Sequence, residues 1–368
     1  MLYHLLAPLG SDYILFNLFN YITFRVVGGM ATAILLAFLM GPSIIRQLRR
    51  LRVGQVIRSE GPETHQKKAG TPTMGGVLIL ASTVTAVLLW ADLTNSYTII
   101  AVVTLVSLGG LGFLDDYLKV VRRRTEGLVG RYKLVGQGLL GLGIGAYLVL
   151  APPGQIPASV TQMPFFAELV VWMWPPLFVP WVMFIVMGAS NAVNLTDGLD
   201  GLAGGLAAIA AVTFGVFAYL EGRVDTTEYL GLVYLPGAGE LAIFCMALSG
   251  ATLGFLWFNA HPASVFMGDT GSLPLGGALG VVAILLKLEF LLAIAGGVFV
   301  AEALSVMMQV GWFKFTARRY GQGRRIFRMS PLHHHFEKAG VPETKVVIRF
   351  WILGVLCALL ALSTLKIR

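Results

Sequence analysis

Asp115 and Asp116 close the apolar run Leu111-Gly112-Phe113-Leu114, and two adjacent carboxylates at such a place need either water or a cation. A carboxylate at the centre of a membrane helix costs about 2.5 to 3.5 kcal/mol on insertion scales, so the pair is expected at a membrane surface or in a wet cavity. Mutual repulsion makes a divalent metal one natural partner, and a solvated helix end is the plainer alternative. Further along, Asn194, Asp197 and Asp200 recur every three residues, which on a helix would align them on one face. Asp269 lies in Phe266-Met267-Gly268-Asp269-Thr270-Gly271. Its Asp-Thr-Gly does not make an aspartic protease, because a proton-sharing dyad needs two copies and there is one. Phe266, three residues before that acid, could stack on a base.

The cations complement these acids. Lys67 and Lys68 precede Thr71-Pro72-Thr73-Met74-Gly75-Gly76, a glycine-rich helix start whose N-H groups are expected to be free for an anion. Arg131 and Lys133 follow the Asp115-Asp116 pair, and His333, His334 and His335 follow five arginines between positions 318 and 328. No cysteine accompanies the histidines to suggest zinc, and imidazoles beside arginines suit phosphate oxygens. Acids for Mg²⁺ and cations for phosphate are the requirements of phosphoryl transfer, here between a nucleotide and a lipid.

The elements that must position these residues are membrane helices. Of 368 residues, 56% are hydrophobic and 12% charged, against roughly 25% charged in a soluble protein. The expected fold is therefore all-α and polytopic, a single transmembrane domain over residues 1–368. Runs near the spanning length of about 20 residues predict ten helices, at 24–45, 74–91, 97–114, 134–151, 168–187, 199–220, 241–258, 272–287, 290–313 and 346–364. Pro175, Pro176 and Pro180 predict a kink or break in the fifth. Of the 27 Lys and Arg residues, 21 fall in the loops after the odd-numbered helices and 4 on the other side. The positive-inside rule then places those loops and the active site in the cytoplasm and both termini in the periplasm. The net charge of +8 has no soluble domain on which to meet nucleic acid, so none is expected as a partner. Cys245 and Cys357 sit in apolar runs as packing thiols. Glycine pairs four apart, such as Gly141 with Gly145, Gly250 with Gly254 and Gly276 with Gly280, predict close helix packing. Glu302, in mid-helix, is a functional candidate without an evident partner.

The motifs Thr71 to Gly76, Phe113-Leu114-Asp115-Asp116, Asn194 to Gly201, Phe266 to Gly271 and Pro331-Leu332-His333-His334-His335-Phe336-Glu337 together resemble the phospho-N-acetylmuramoyl-pentapeptide transferase family. That family lies within the polyprenyl-phosphate N-acetylhexosamine-1-phosphate transferase superfamily, and the histidine triplet followed by Phe-Glu points to the muramoyl-pentapeptide branch. The resemblance implies a bacterial inner-membrane enzyme, a homodimer using Mg²⁺. Its substrates would be UDP-MurNAc-pentapeptide and undecaprenyl phosphate, and its products lipid I and UMP. Carried over by motif, Asp269 is a metal ligand, with Asp115 and Asp116 beside the lipid phosphate and the metal. Lys68, Asn194, Asp197, Gly198, Leu199, Asp200, Asn259 and Phe266 would surround the uridine diphosphate. His333, His334, His335 and Lys133 would meet its phosphates or sugar. An N-acetylglucosamine-1-phosphate transferase is the alternative within the class; a transporter or flippase, with acids deep in several helices, is the alternative outside it.

Overall fold

The computed structural model describes residues 1–50, 70–120, 127–154 and 156–366. Among the described residues ten long apolar helices dominate: α1 (Ile22–Arg50), α2 (Gly76–Trp90), α3 (Ser96–Val120), α4 (Gly130–Leu150), α5 (Pro175–Thr196), α6 (Leu202–Glu221), α7 (Gly239–Asn259), α8 (Asp269–Leu285), α9 (Gly297–Tyr320) and α10 (Glu343–Ser363). Among the described residues, eight of them are long and apolar enough to cross a membrane, whereas α2 and α8 are shorter, at 15 and 17 residues. The chain is a mostly helical, multi-pass membrane protein.

Where each helix sits follows from its composition. Helices α6, α7 and α8 are apolar on every side and mostly buried, forming the centre of the bundle, with Val216, Leu253 and Trp257 left exposed. Helices α1, α5, α9 and α10 leave most of their apolar surface, such as Leu35, Phe184, Met307 and Leu356, facing outward, as lipid-facing helices do. The glycine pairs set the contacts. A Cβ on Gly250 would lie 2.5 Å from the Met30 carbonyl oxygen, and one on Gly276 would lie 2.2 Å from that of Ala189. Gly141 in turn meets the Met183 Cα. Thus α7 packs on α1, α8 on α5, and α4 on α5, each at backbone distance.

Three departures from the sequence reading have physical causes. The fold is not purely α-helical: β1 (Val160–Met163) and β2 (Phe166–Trp172) form an antiparallel hairpin, with Val160 opposite Trp172 and Thr161 opposite Val171. These segments are rich in β-branched and aromatic residues, so residues 168–172 join a strand instead of the fifth helix. That helix begins at Pro175 and Pro176, which occupy its first positions, where a missing N-H costs nothing, and it continues through Pro180 as one element. Second, the predicted helix over 290–313 is divided at Gly296 into a short helix, Glu289–Ala295, and α9. Third, α3 runs on to Val120, so Asp115 and Asp116 lie within its last turns and not in the following loop.

At the end of the bundle away from those acids, α1 and α7 are tied by a buried ion pair. Arg25 Nη2 lies 2.7 Å from Glu240 Oε1, Nη1 donates to Oε2 at 2.9 Å, and the Asp92 N-H donates to the same oxygen at 2.8 Å. Both side chains are nearly inaccessible. Removing one partner strands the other charge, at a cost of about 3 to 5 kcal/mol, whereas replacing both by apolar residues is near neutral. Glu240→Met is therefore expected to lower the thermal-unfolding midpoint in detergent sharply, and Arg25→Met/Glu240→Met to restore most of it. A double variant as unstable as the sum of the single ones would contradict this.

Candidate active site

The acids of α3 are neighbours in sequence but face different partners. Asp115 accepts from the Leu128 N-H at 2.8 Å and lies 2.5 Å from Lys119 Nζ, one helical turn on, and 3.2 Å from Lys133 Nζ in the first turn of α4. Asp116 accepts from the Thr270 N-H at 2.9 Å and its hydroxyl at 2.7 Å. Thr270 follows Asp269, the first residue of α8, and Asp269 is itself paired with Lys119, at 3.3 Å, and with Lys133. Carboxylate oxygens of Asp115, Asp116 and Asp269 all lie within 4.8 Å of one another. The C-terminal end of α3 thus meets the N-terminal end of α8.

Two glycines make that meeting possible. A Cβ on Gly112 would fall 2.1 Å from the Asp269 carbonyl oxygen, so α3 and α8 touch through backbone. Gly268 holds φ at +71°, and a side chain there would meet Asp116 Oδ2 at 2.5 Å. The three carboxylates and two ammonium groups leave one formal negative charge in a cluster whose spare ligands are all oxygens. Such a donor set fits a hard divalent cation such as Mg²⁺, which Asp115, Asp116 and Asp269 could hold. Lys119 was absent from the residues singled out by motif; its spacing of four from Asp115 was the signal.

The segment after α5 is not the continuous helical stripe expected of it. The helix ends at Thr196, Asp197 caps it, and the chain turns through Gly201 at φ +80° into α6. Asn194 stays on α5 and accepts from Ser272 Oγ at 2.8 Å. Asp200 turns elsewhere: its Oδ2 accepts from the Ala263 N-H and lies 3.1 Å from His261 Nδ1, and its own N-H donates to Glu343 Oε1 at 2.9 Å. Asp200, His261 and Glu343 form a second group with ligand atoms within 4.8 Å of one another. Asn259 gives its amide to backbone, accepting from Gly201 N-H at 3.0 Å and donating to the Val265 carbonyl at 2.9 Å. It therefore sets the course of the loop between α7 and α8. Leu199 is buried and Phe266 half-buried.

The glycine-rich segment before α2 is also differently employed. The Gly75 and Gly76 N-H groups donate to the carbonyls of Phe266 and Met267 at 2.8 and 2.9 Å, and Phe266 N-H returns a bond to Pro72. Those N-H groups hold the Phe266-to-Gly271 loop in register, and neither is free for an anion. Lys68 lies outside the described residues.

The three histidines open a seven-residue helix, Leu332–Lys338, and diverge. His333 is fully buried beside Glu302, with Nδ1 3.2 Å from Oε1, and its ring presses on Gly198. His334 Nδ1 lies 2.7 Å from Glu337, and His335 Nδ1 accepts from the Arg328 N-H at 3.1 Å. The structure therefore brings His333 to the Asp197–Gly201 turn and gives His334 and His335 partners on their own segment.

The chain is similar to known proteins along its whole length. Residues 97–287 match the family model described as glycosyl transferase family 4, and residues 68–80 match phospho-N-acetylmuramoyl-pentapeptide-transferase signature 1. The chain is 58% identical over 382 residues to the phospho-N-acetylmuramoyl-pentapeptide-transferase of Gemmatimonas aurantiaca, covering all of both chains. It is 54% identical to the protein of that name from Citrifermentans bemidjiense and 52% identical to that from Desulfatibacillum aliphaticivorans, again over the full length of each. Acids and lysines meeting at the ends of α3, α4 and α8, within the matched region and on a chain related from end to end to these enzymes, mean that the protein belongs to the phospho-N-acetylmuramoyl-pentapeptide-transferase family.

Proposed function

We propose that the protein transfers phospho-MurNAc-pentapeptide from its UDP carrier to undecaprenyl phosphate, giving lipid I and UMP. The observation that supports this best is the convergence of Asp115, Asp116 and Asp269 with Lys119 and Lys133 in one cluster. On this reading the cluster faces the cytoplasm of a bacterial inner membrane, all ten long helices cross or enter the bilayer, both termini are periplasmic, and the single-domain chain works as a homodimer.

A phosphate monoester has a second pKa near 6, so the lipid phosphate reaches the site mostly as a dianion and needs little help from a general base. Its oxygen attacks the sugar-linked phosphorus in line; a new P-O bond forms as the bond to the UMP phosphate breaks, and UMP leaves with the electron pair. Mg²⁺ held by the three aspartates would supply neutralisation of phosphate charge. Lys119 and Lys133, one partly exposed and one recessed, turn their ammonium groups from carboxylate to phosphate oxygens and so reduce repulsion between the two anions. The Asp197–Gly201 turn, Asn194 and Phe266 form the nucleotide side, with Asn194 held in orientation by Ser272.

Asp197 adds a pH dependence. Burial first, and then the charges of Asp269, Asp116 and Asp200, push its carboxyl up to about 7. Between about pH 4 and 7 the folded protein thus holds a proton there that the unfolded chain, with the ordinary carboxyl value of 3.8, has released. Stability from this group falls as pH rises from about 4 to 7 and stays low above that. Asp197→Asn removes the penalty.

Purified protein given UDP-MurNAc-pentapeptide, undecaprenyl phosphate and Mg²⁺ should release UMP, lose that activity on chelation and recover it when Mg²⁺ returns. Asp115→Asn and Asp269→Asn should each slow release by about 10²-fold or more. Turnover of UDP-N-acetylglucosamine in place of the pentapeptide substrate would overturn the assignment, and a labelled phosphosugar trapped on an aspartate would overturn direct attack. In thermal unfolding without ligand, the midpoint of Asp197→Asn should exceed that of the parent at pH 8, with the gap closing towards pH 5. A gap independent of pH would show that Asp197 does not titrate in this range.

A further inference from the structure

Glu302 is an acid in the middle of an apolar helix, fully buried, and the reaction described above makes no use of it. Its surroundings are specific. Oε2 accepts from the Leu332 N-H at 2.7 Å, and Oε1 accepts from the His333 N-H at 3.2 Å. These are the first two N-H groups of the Leu332–Lys338 helix, whose N-cap is Pro331 and which has no side-chain cap hydrogen bond of its own. A carboxylate 30 residues away in sequence therefore takes the place of the missing cap, where the backbone dipoles favour negative charge.

The same carboxylate reaches the imidazole that follows. Oε1 lies 3.2 Å from His333 Nδ1, a close polar contact without hydrogen-bond geometry. Nε2, also buried and without a hydrogen-bond partner, faces Gly198, where a Cβ would stand 2.2 Å from it. The ring is held between Glu302 on one side and the Asp197–Gly201 turn on the other. Gly198 is the one residue type that leaves room for it.

We propose that Glu302 is a positioning residue for the nucleotide sugar: by capping the histidine helix and fixing the His333 ring, it sets the place of the Asp197–Gly201 turn. The proposal rests on the reading of that turn as part of the nucleotide side of the site. His333 then acts as a strut, and contact with substrate falls to residues around it. Because the link passes through one imidazole, loss of either end should have the same consequence, and loss of both should add little.

Steady-state kinetics of UMP release separate the two substrates. Glu302→Ala and His333→Ala should each raise KM for UDP-MurNAc-pentapeptide by about 10-fold, with KM for undecaprenyl phosphate changed less than about 2-fold. Glu302→Ala/His333→Ala should be no worse than the weaker single variant, and Glu302→Gln, which keeps the shape and one acceptor, should fall between parent and Ala. Gly198→Ala should show the same KM defect, and adding His333→Ala to it should leave KM no higher than in His333→Ala alone. Lowered thermal stability with both KM values unchanged would make Glu302 merely structural and end the proposal, as would multiplicative effects of the two Ala variants. Should Glu302→Ala fail to fold, Glu302→Gln and the Gly198→Ala/His333→Ala pair still decide. Absence of UMP release from the parent protein would instead bring down the nucleotide reading itself.

Discussion

Three carboxylates within 4.8 Å of one another repel, and the construction of this end of the bundle follows from managing that repulsion. In water such a cluster would spread apart; between apolar helices it has nowhere to go, and each charge needs a donor. Asp116 takes its donors from Thr270, Asp115 from Leu128 and two lysines, and Asp269 from the same two lysines. Those bonds require α3 and α8 to approach through bare backbone, hence Gly112 and Gly268 at the contact. They also require the loop before α8 to keep its course, which the Gly75 and Gly76 bonds and the Asn259 amide maintain. Residues with no polar atom to offer a substrate are thus as necessary to the cluster as the acids.

Other acids of the bundle meet the same constraint in different ways. Glu240 is neutralised by Arg25 and uses one oxygen again on backbone, which joins α1 to α7 far from the cluster. Glu302 has backbone N-H groups and an imidazole. Asp200 shares His261 and Glu343, and so ties together the turn into α6, the loop after α7 and the start of α10. A full counter-charge favours rigidity, whereas donors shared among several groups leave a carboxylate able to change partners. The second arrangement is the one found beside the cluster.

The ten apolar runs were legible because hydrophobic length is a local property, and each holds helix, although the fifth begins in a strand and the ninth is divided at Gly296. The hairpin was not: Phe166 to Trp172 is as apolar as a helix start, and only the density of β-branched and aromatic residues separates the two. Motifs identified Asp115, Asp116 and Asp269 without showing that they meet, since Asp116 and Thr270 stand 154 positions apart in sequence. Periodicity misplaced Asp200, because a turn after Thr196 ends the helix on which a spacing of three has meaning. The partner of Glu302 was out of reach for the same reason as that of Asp200. Pairings 31 and 61 residues apart are set by tertiary packing, and no local pattern records them.

The cations beside the cluster are lysines, and that choice bears on what the pocket does. An arginine fork across Asp115 and Asp269 would be planar, bidentate and slow to give way. An ammonium group on a four-carbon stem holds its partners as a point charge and can swing, and the Lys119 side chain is 38% exposed, with space in which to do so. The lysines keep the crowded carboxylates balanced while no other cation is present. On the proposed function, a divalent ion held by the three aspartates would take over that balance and leave the two ammonium groups for phosphate oxygens. Arginine would suit a fixed structural bridge; lysine suits a site in which charge must be handed from protein to substrate.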